Sequence, residues 1–380
     1  MVCQAASYGR EASTMRVCEL LLEAKQVGRE FNHLEDLVFT DPANGATRAV
    51  EILRGLEQDS SDVAIKWDGY PTLFWGRDKD GKFLLVGKNA WGKVKADSAK
   101  EVADFIKQSG KGVEEEPWRE KFGNDMAALW PMFERATPES FRGFVYGDLL
   151  YHPGKPYTGE DGLIKFTPNK TTYNVKVDSK LGRRIAKSKA GVAATMVFEN
   201  FGDPMNAGKP IDSVEEFNRS SDVVVLGQTY VDHRPAVDVE NLDKVSRLAG
   251  QAQGKIKAFL EPRKGLADIQ DIFYRYVNHM GRQRKLDQLN TQTFFEFAEQ
   301  KVSAPKQERI RNLAAEYEGV MEDIFALIRG IMTAKDEVIR ELDSAEADIT
   351  ANIGPEKGGE GYVKQKDRVK FVPRDRFTLN

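Results

Sequence analysis

The chain has 380 residues, a formal net charge of −3, 41% hydrophobic residues and 30% charged residues, as expected for a globular protein of two compact units or one domain with a large insertion. No apolar run approaches the roughly 20 residues that span a bilayer, and the N-terminus lacks the apolar core of a secretory signal. Cys3 and Cys18 alone form no disulfide framework, so we expect a cytoplasmic protein with no membrane partner.

Hydrophobic periodicity divides the first two thirds of the chain into a few helices and many short strands. Apolar residues at helical spacing predict helices over 14–25 and 46–56. From Val63 to Val231 short apolar runs separated by turn residues predict a strand-rich segment. The predicted strands are 64–67, 72–76, 83–86, 144–151, 163–166, 172–175, 193–198 and 223–231, and the predicted helices among them are 100–108 and 126–135.

The pattern changes near Pro235, where a helical segment begins and continues to about residue 349. An apolar stripe from Leu313 through Val320 to Ile331 predicts one long helix that continues to Leu342. After it, residues 354–361 are rich in glycine and predict a flexible linker, and residues 362–371 again resemble strand. The helical segment is therefore predicted to be inserted before the last strands of the strand-rich part.

The segment Lys66-Trp67-Asp68-Gly69 carries the chemistry that is easiest to recognise. Because residues two apart on a strand face the same side, we expect Lys66 and Asp68 to point together into a cleft and Trp67 to face the other way. A lysine amine is a nucleophile only when it is neutral, and burial or nearby cations lower its pKa in that direction. An isolated segment of this kind is more often a surface ion pair beside a turn glycine.

Three later residues supply groups that suit a nucleotide. Lys88 follows the next predicted strand, where a cation can neutralise phosphates, although a solvated lysine is also typical there. Asp148 follows Gly147 and is predicted to end an apolar strand, so that its carboxylate lies at a strand–loop junction and suits a ribose hydroxyl or a metal-bound water. Phe166 ends another apolar run, and such a ring either stacks on a base at a pocket edge or belongs to the core.

The end of the chain adds a carboxylate and two cations. Glu360 precedes Gly361 and suits a divalent metal, while Arg368 and Lys370 alternate along the last predicted strand and suit a triphosphate. Each residue alone has a structural explanation, but the ordered set is harder to explain by chance. The sequence therefore predicts a lysine nucleophile acting on a nucleotide phosphate, in a pocket built from both ends of the chain.

In this order the motifs resemble those of the covalent nucleotidyltransferase superfamily, which includes ATP-dependent DNA and RNA ligases and mRNA-capping guanylyltransferases. Lys66-Trp67-Asp68-Gly69 matches the nucleophile motif of that superfamily, and Glu360-Gly361-Tyr362-Val363 matches its Glu-Gly motif. The chain is also similar to a ligase-like group of tailed-bacteriophage proteins. That similarity involves His33-Leu34-Glu35-Asp36, Gly45-Ala46, Pro71, Phe166-Thr167-Pro168-Asn169, Thr172-Tyr173 and Leu181-Gly182.

The resemblance implies an α+β fold. It implies a ligase-type nucleotidyltransferase (adenylation) domain of antiparallel sheets with flanking helices, plus an inserted or appended all-helical domain. The corresponding domains are 15–235 for the main part of the nucleotidyltransferase, 236–353 for the helical domain and 354–380 for the strands that complete the nucleotidyltransferase. The localisation implied is the cytoplasm, of an infected bacterial host if the protein is phage-encoded.

The resemblance also implies an activity, that of an ATP-dependent polynucleotide ligase. Lys66 would attack ATP to form a lysyl-AMP, AMP would pass to the 5′-phosphate end of RNA or DNA, and a 3′-hydroxyl would then displace it. Catalysis is assigned to Lys66 and Asp68, and Mg²⁺ or Mn²⁺ to Glu360 and Asp148. The implied nucleotide-binding residues are Ile65, Lys66, Gly69, Lys88, Asp148, Phe166, Glu360, Arg368 and Lys370.

Two alternatives stay open. One is a nucleotidyltransferase of other specificity, which caps RNA or transfers AMP to an acceptor that is not a nucleic acid. The other is a non-catalytic phage structural or binding protein that reuses the fold. A classical metal hydrolase and a P-loop NTPase are poorly supported, because the four histidines show no ligand spacing and no Gly-x-x-x-x-Gly-Lys-[Ser/Thr] loop is present.

Overall fold

The protein is described here by a computed structural model, which covers residues 31–345 and 347–375. The strands are β1 (Asn32–His33), β2 (Val63–Ile65), β3 (Thr72–Arg77), β4 (Phe83–Gly87), β5 (Gly143–Tyr151), β6 (Thr158–Glu160), β7 (Leu163–Phe166), β8 (Thr172–Lys176), β9 (Ala190–Phe198), β10 (Lys209–Pro210), β11 (Val223–Leu226), β12 (Ile349–Ile353), β13 (Glu356–Lys357), β14 (Tyr362–Lys364) and β15 (Val369–Phe371). The α-helices are α1 (Leu37–Thr40), α2 (Gly45–Gly55), α3 (Ala99–Gln108), α4 (Gly112–Glu115), α5 (Trp118–Ala136), α6 (Lys180–Ile185), α7 (Val239–Leu260), α8 (Ile269–Arg282), α9 (Thr291–Lys301), α10 (Ala304–Glu316) and α11 (Val320–Ser344). The predicted helix 14–25 and both cysteines lie outside the described residues.

The chain forms two compact units, each built from more than one segment. The sheet unit consists of Ser60–Arg234 and Ile339–Val363. The helical unit consists of the described residues up to Asp59, of Pro235–Val338 and of the described residues from Lys364 onward. Of the predicted helical domain 236–353, the part up to Val338 belongs to the helical unit and the rest to the sheet unit.

Two β-sheets organise the sheet unit. The first has the order β10-β9-β5-β3-β4, with β11 alongside β9, and all its pairs are antiparallel except the parallel pair of β11 and β9. The second sheet is antiparallel throughout, in the order β13-β12-β8-β7-β6. With helices α3 and α5 at the side, the chain has the mixed α+β class of antiparallel sheets and flanking helices that the sequence predicts.

Two apolar cores hold the sheet unit together. One fills the space between the first sheet and its helices, where Trp75 of β3 meets Phe133 of α5 edge to face at 5.2 Å between ring centroids. The other core is aromatic and contains Trp67, Phe166 and Tyr173, each less than 9% exposed. Burying a large apolar side chain contributes roughly 1.5–3 kcal/mol, so these rings fix the segment that carries Lys66 from its buried side.

The helical unit contains a cluster of buried charged side chains formed by Glu35, Asp36, Lys335 and Arg374. Glu35 and Lys335 are 0% and 1% exposed in their side chains, and Lys335 Nζ lies 3.0 and 2.9 Å from the two carboxylate oxygens of Glu35. Lys335 also donates to the Val372 carbonyl at 3.0 Å, and Arg374 Nε lies 3.0 Å from Glu35 Oε1. Arg374 pairs with Asp36 as well. The cluster therefore joins residues 35–36, helix α11 and the C-terminal segment through buried charges.

Several predicted boundaries were wrong. The single long helix is two, α10 and α11, which separate at 317–319, where Gly319 adopts a φ of +80°. Residues 349–353, which the prediction includes in the helical domain 236–353, form β12 and pair with β8, and the predicted linker 354–361 contains β13. Apolar spacing alone did not show these strands, because β12 is completed by the distant strand β8 and β13 is a two-residue strand that pairs with β12. In the described part of the chain, no helix combines the length and apolar character needed to cross a membrane.

Candidate active site

The segment that carries Lys66 leaves the strand earlier than predicted. Strand β2 ends at Ile65, whose N–H donates to the Thr229 carbonyl at 2.8 Å, and the N–H of Lys66 donates to the Gly361 carbonyl at 2.9 Å. Lys66 to Gly69 therefore form an irregular stretch rather than the end of a strand. The prediction that Lys66 and Asp68 face the same side because they alternate along a strand therefore does not apply. Their backbone N–H groups donate to the Gly361 carbonyl and the Tyr173 hydroxyl instead of continuing the ladder of β2.

Lys66 and Glu360, far apart in sequence, form the central contact of the site. Lys66 Nζ lies 2.5 Å from Glu360 Oε1, with the two side chains 33% and 18% exposed. The Gly361 carbonyl, next to Glu360, also accepts a hydrogen bond from the Lys66 N–H. A backbone bond and a side-chain ion pair therefore both hold the segment of Lys66 against the segment of Glu360. The amine is thus reachable from solvent but held next to one carboxylate, as a positioned nucleophile requires.

Asp68 is held by the loop between β7 and β8. Its backbone N–H donates to the Tyr173 hydroxyl at 2.6 Å. Its carboxylate accepts from Asn169 Nδ2 at 3.1 Å and from Thr171 Oγ1 at 3.2 Å. Tyr173 is fully buried, and burial raises the pKa of its hydroxyl above the ordinary value, so it stays protonated. The bond to Tyr173 therefore holds the Asp68 backbone, and the bonds from Asn169 and Thr171 fix the direction of its carboxylate.

Gly69 is required because the chain passes directly over strand β5. A Cβ at this position would lie 2.6 Å from the Cβ of Asp148 and 2.9 Å from the carbonyl oxygen of Leu149, closer than atoms can approach. The next residue, Tyr70, donates its N–H to the same Leu149 carbonyl at 2.8 Å. The glycine of the nucleophile motif therefore brings Asp148 against the segment that carries Lys66.

Asp148 lies within β5 rather than at the end of a strand as predicted, and its carboxyl group has a shifted pKa. Burial raises its pKa above the ordinary value; Lys66 and Lys88 act in the opposite direction, and Asp68 adds to the rise. Its Oδ1 accepts from Thr72 Oγ1 at 2.6 Å, and the two residues face each other in the pairing of β3 and β5. Lys88, exposed at the start of a short 3-10 helix after β4, lies within electrostatic range of this carboxyl group.

Phe166 lies in the core of the sheet unit rather than at an open pocket edge. It is 2% exposed, with ring centroids 6.3 Å from Trp67, 5.6 Å from Tyr173 and 5.3 Å from Tyr151. A ring enclosed by three others has no free face for a base. Trp67 faces this core, on the side away from the candidate site, as the sequence predicts.

Arg368 and Lys370 belong to the helical unit, not to the sheet unit that carries Lys66. Arg368 is exposed in a turn, with a φ of 55° and its N–H donating to the Gln365 carbonyl at 3.2 Å, and only Lys370 lies in β15. The predicted alternation of two cations along one strand was therefore wrong, because the strand begins one residue after Arg368. Their nucleotide-binding role stays a prediction.

The carboxylates of Glu360 and Asp148 could hold a magnesium ion whose other ligands are waters and substrate phosphates. Over residues 31–345 and 347–375, no group of three or more His, Cys, Asp or Glu side chains is arranged to hold a metal. Mg²⁺, however, keeps several waters and is usually bound by one or two carboxylates together with substrate phosphates. Glu360, with its side chain 18% exposed, and Asp148 are donors of that kind.

Sequence reasoning missed four residues of the site. Thr72 holds Asp148, and Asn169, Thr171 and Tyr173 hold Asp68. Asn169 and Tyr173 stand in segments that carry the resemblance to ligase-like phage proteins, and this was the available signal. Their contact with Asp68 is a tertiary feature of the β7–β8 loop that linear spacing does not encode.

Comparison with known proteins places the whole described chain in one family. The sequence pattern of that family matches residues 29–380, which include Lys66, Asp68, Asp148 and Glu360 as well as the helical unit. No curated protein and no solved structure gave a match. The chain therefore belongs to the family described as "Family of unknown function (DUF6267)".

Proposed function

We propose that this protein is a covalent nucleotidyltransferase of the ligase type, which attaches AMP to Lys66 and passes it to the 5′-phosphate end of RNA or DNA. The observation that carries the proposal is the 2.5 Å contact between Lys66 Nζ and Glu360 Oε1. This contact joins the two motifs on which the resemblance to the nucleotidyltransferase superfamily depends. A surface ion pair beside a turn, the alternative for an isolated motif, does not account for Asp68 and Asp148 gathered at the same place.

The first step is written on this chain's own atoms. The Lys66 ammonium loses one proton to Glu360 Oε1, its 2.5 Å neighbour, and Nζ attacks the α-phosphorus of ATP. The N–P bond forms, the P–O bond to pyrophosphate breaks, and the nitrogen loses its second proton to water as it becomes a phosphoramidate. In the second step an oxygen of the 5′-phosphate attacks the same phosphorus, and the amine regains its protons and leaves. In the third step the oxygen of a 3′-hydroxyl attacks the phosphorus of the activated 5′-phosphate and loses its proton to water. The P–O bond to AMP breaks, and AMP leaves.

The remaining residues align the reactants and balance charge. Asn169, Thr171 and Tyr173 fix Asp68, so that its carboxylate is oriented before the substrate arrives. Lys88, directly after β4 and within electrostatic range of Asp148, adds positive charge for the triphosphate oxygens. Glu360 and Asp148 would hold Mg²⁺, which would supply positive charge to offset that of the phosphates. Because Phe166 is enclosed, base recognition is assigned to other residues than this ring.

Transfer of label from ATP to the protein tests the proposal. Incubation with Mg²⁺ and ATP labelled in the α-phosphate, followed by a denaturing gel, should give a labelled band, and ATP labelled in the γ-phosphate should give none. Lys66→Ala should remove the band. Lys165→Ala is the matched control, because Lys165 is likewise paired with a glutamate, at 2.6 Å from Glu160 Oε2. A band that survives Lys66→Ala contradicts the assignment of the nucleophile.

A further inference from the structure

The segment from Lys176 to Lys189 carries a local excess of positive charge. It contains six cations and one acid, Asp178, although the whole chain has a net charge of −3. Four of the cations stand on helix α6 and on the turn that follows it: Lys180, Arg183, Arg184 and Lys187. We call these four residues the basic surface. All four belong to the sheet unit, as Lys66 does.

The four cations lie along one side of their helical turns. Residues three and four apart on a helix are neighbours, and positions 180, 183, 184 and 187 have this spacing. Helix α6 ends at Ile185, but the Lys187 N–H donates to the Arg184 carbonyl at 3.2 Å, which continues the turn. On the other side Ile185 is fully buried and Leu181 packs against the aromatic core. The basic surface therefore faces away from the core, and all its members except the half-buried Arg184 are exposed.

Helix α6 is held in place at both ends. The Ser179 hydroxyl accepts from the Gly182 N–H at 2.9 Å and donates to the Lys176 carbonyl at 2.7 Å. Gly182 lies so close to the end of β8 that a Cβ there would collide with the Lys176 carbonyl oxygen. After the helix, the Ser188 hydroxyl lies 2.7 Å from that of Tyr151. A surface fixed in this way needs little ordering when it binds a ligand.

Acids on the neighbouring elements are matched by cations outside the basic surface. The ion pairs are those of Asp222 with Arg135 and Lys189, of Glu160 with Lys165, and of Asp348 with Lys176. Asp161 and Asp178 are the other two acids between residues 158 and 189. Over the described ranges the four cations of the basic surface form no ion pair, and Arg183 donates to the Asp178 carbonyl. Positive charge therefore prevails at this surface.

Such a surface suits a ligand with regularly spaced negative charges. Like charges three or four residues apart destabilise a helix, so an anion that lies across them relieves the repulsion. The row from Lys180 to Lys187 spans about 10 Å, at about 1.5 Å per helical residue. A nucleic-acid strand carries one phosphate about every 3.4 Å, so roughly three phosphates match this row. Lysine and arginine are the usual donors to phosphate oxygens.

Two strands connect the basic surface with the candidate active site. β8 begins directly after Thr171, which holds Asp68, and ends at Lys176 just before α6. β5 leads from Asp148 to Tyr151, which contacts the segment after α6. At about 3.3 Å per residue these paths are about 17 and 10 Å long. That is the length of about three to five nucleotides of one strand.

We propose that Lys180, Arg183 and Lys187 bind the phosphate backbone of the nucleic acid whose 5′-phosphate end reacts at Lys66, about three to five nucleotides from that end. The inference rests on the proposed function for the identity of the reacting end, and on the basic surface itself for the binding of the backbone. Because phosphates rather than bases are contacted, binding here should not depend on base sequence.

The salt dependence of binding tests the inference. The probe is a dye-labelled, 5′-phosphorylated DNA single strand of about eight nucleotides, and anisotropy measures its affinity for the full chain. The triple variant Lys180→Gln, Arg183→Gln, Lys187→Gln should bind at least about ten-fold more weakly at about 0.1 M salt. The slope of log affinity against log salt should fall by about 2, since each phosphate contact contributes about 0.7. Two unrelated base sequences should be affected equally. Unchanged affinity and slope overturn the inference.

The matched control is the variant Lys79→Gln, Lys100→Gln, Lys111→Gln, which removes the same charge from exposed positions elsewhere in the sheet unit. It should bind the probe as the parent does. A loss equal to that of the first triple variant overturns the inference, because net charge alone then explains it. Polyglutamate that binds as tightly as the probe also overturns it, because the surface then fits an acidic protein. A dinucleotide probe should bind equally to parent and triple variant, and an equal loss with both probes contradicts the placement away from the reacting end.

Lys66→Ala separates this inference from the proposed function. It should bind the probe as the parent does and form no AMP adduct, whereas the triple variant at the basic surface should form the adduct from ATP alone. If the triple variant loses binding but the parent forms no adduct, the basic surface stands and the proposed function falls. If the parent forms the adduct but the triple variant binds as the parent does, the basic surface falls and the proposed function stands.

Discussion

Replacing Lys335 by methionine should destabilise the helical unit strongly. The side chain is 1% exposed and its Nζ makes three contacts of 2.9–3.0 Å, two to Glu35 and one to the Val372 carbonyl. Methionine keeps most of the volume but removes the charge, which leaves the Glu35 carboxylate buried with Arg374 as its remaining cation. Breaking a buried ion pair on one side costs about 3–5 kcal/mol, and we expect a loss in that range.

Urea unfolding of the full chain measures the loss. All five tryptophans lie between residues 67 and 130 and report on the sheet unit, so circular dichroism must be recorded in parallel to follow the helices of the helical unit. The matched control is Lys244→Met. Lys244 lies 2.7 Å from Glu240 on the surface of α7, with side chains 62% and 81% exposed, and its loss should cost under about 1 kcal/mol. Equal effects of the two variants refute the assignment of the buried cluster as a structural element.

The same cluster predicts a dependence on pH. Burial opposes the charge of Glu35, but Lys335 and Arg374 outweigh it, so the pKa of Glu35 lies below its ordinary value of 4.5. A carboxyl group with a lowered folded pKa contributes stability that is complete above the unfolded value and is lost as the pH falls through the folded value. The contribution of Glu35 to the free energy of unfolding should therefore be lost as the pH falls below about 4.5, and Glu35→Gln should lack that contribution.

Three further changes test the candidate site. Gly69→Ala places a Cβ 2.6 Å from that of Asp148 and should cost about 1–3 kcal/mol in urea unfolding followed by tryptophan fluorescence; a neutral result contradicts the close approach. Tyr173→Phe removes the acceptor of the Asp68 N–H and should slow adduct formation while the midpoint of unfolding changes little; unchanged kinetics rule out its positioning role. Lys88→Met removes a cation that lowers the pKa of Asp148, so the acidic limb of the pH–rate profile should move to higher pH, and a shift to lower pH contradicts the electrostatic account.

The strands of the sheet unit were predictable from the sequence where the local pattern was strong. β3, β4 and β7 coincide with apolar runs bounded by turn residues, and the predicted class of antiparallel sheets with flanking helices is confirmed. β12 was missed because Ile349–Ile353 contains no continuous apolar run and is completed by pairing with β8. The break between α10 and α11 was missed because the apolar stripe continues in register across Gly319.

The residues of the candidate site could likewise be predicted only where a local sequence motif marks them. Linear motifs identified Lys66 and Glu360, which the structure brings into contact, and Asp148, which lies over Gly69. The interpretation of Phe166 as a base-stacking ring was not distinguishable in sequence from a core position, and the structure encloses it. No chemical role was predicted for the motif His33-Leu34-Glu35-Asp36. In the structure its two carboxylates form ion pairs with Lys335 and Arg374 in the helical unit.

The central claim is that Lys66 becomes covalently linked to AMP. Intact-mass analysis of the full chain after incubation with ATP and Mg²⁺, followed by peptide mapping, tests it most directly. The account predicts a gain of one adenylyl group, located on the peptide that contains Lys66, sensitive to acid as a phosphoramidate is, and absent in Lys66→Ala. No gain in mass, or a gain on another residue that persists in Lys66→Ala, contradicts it.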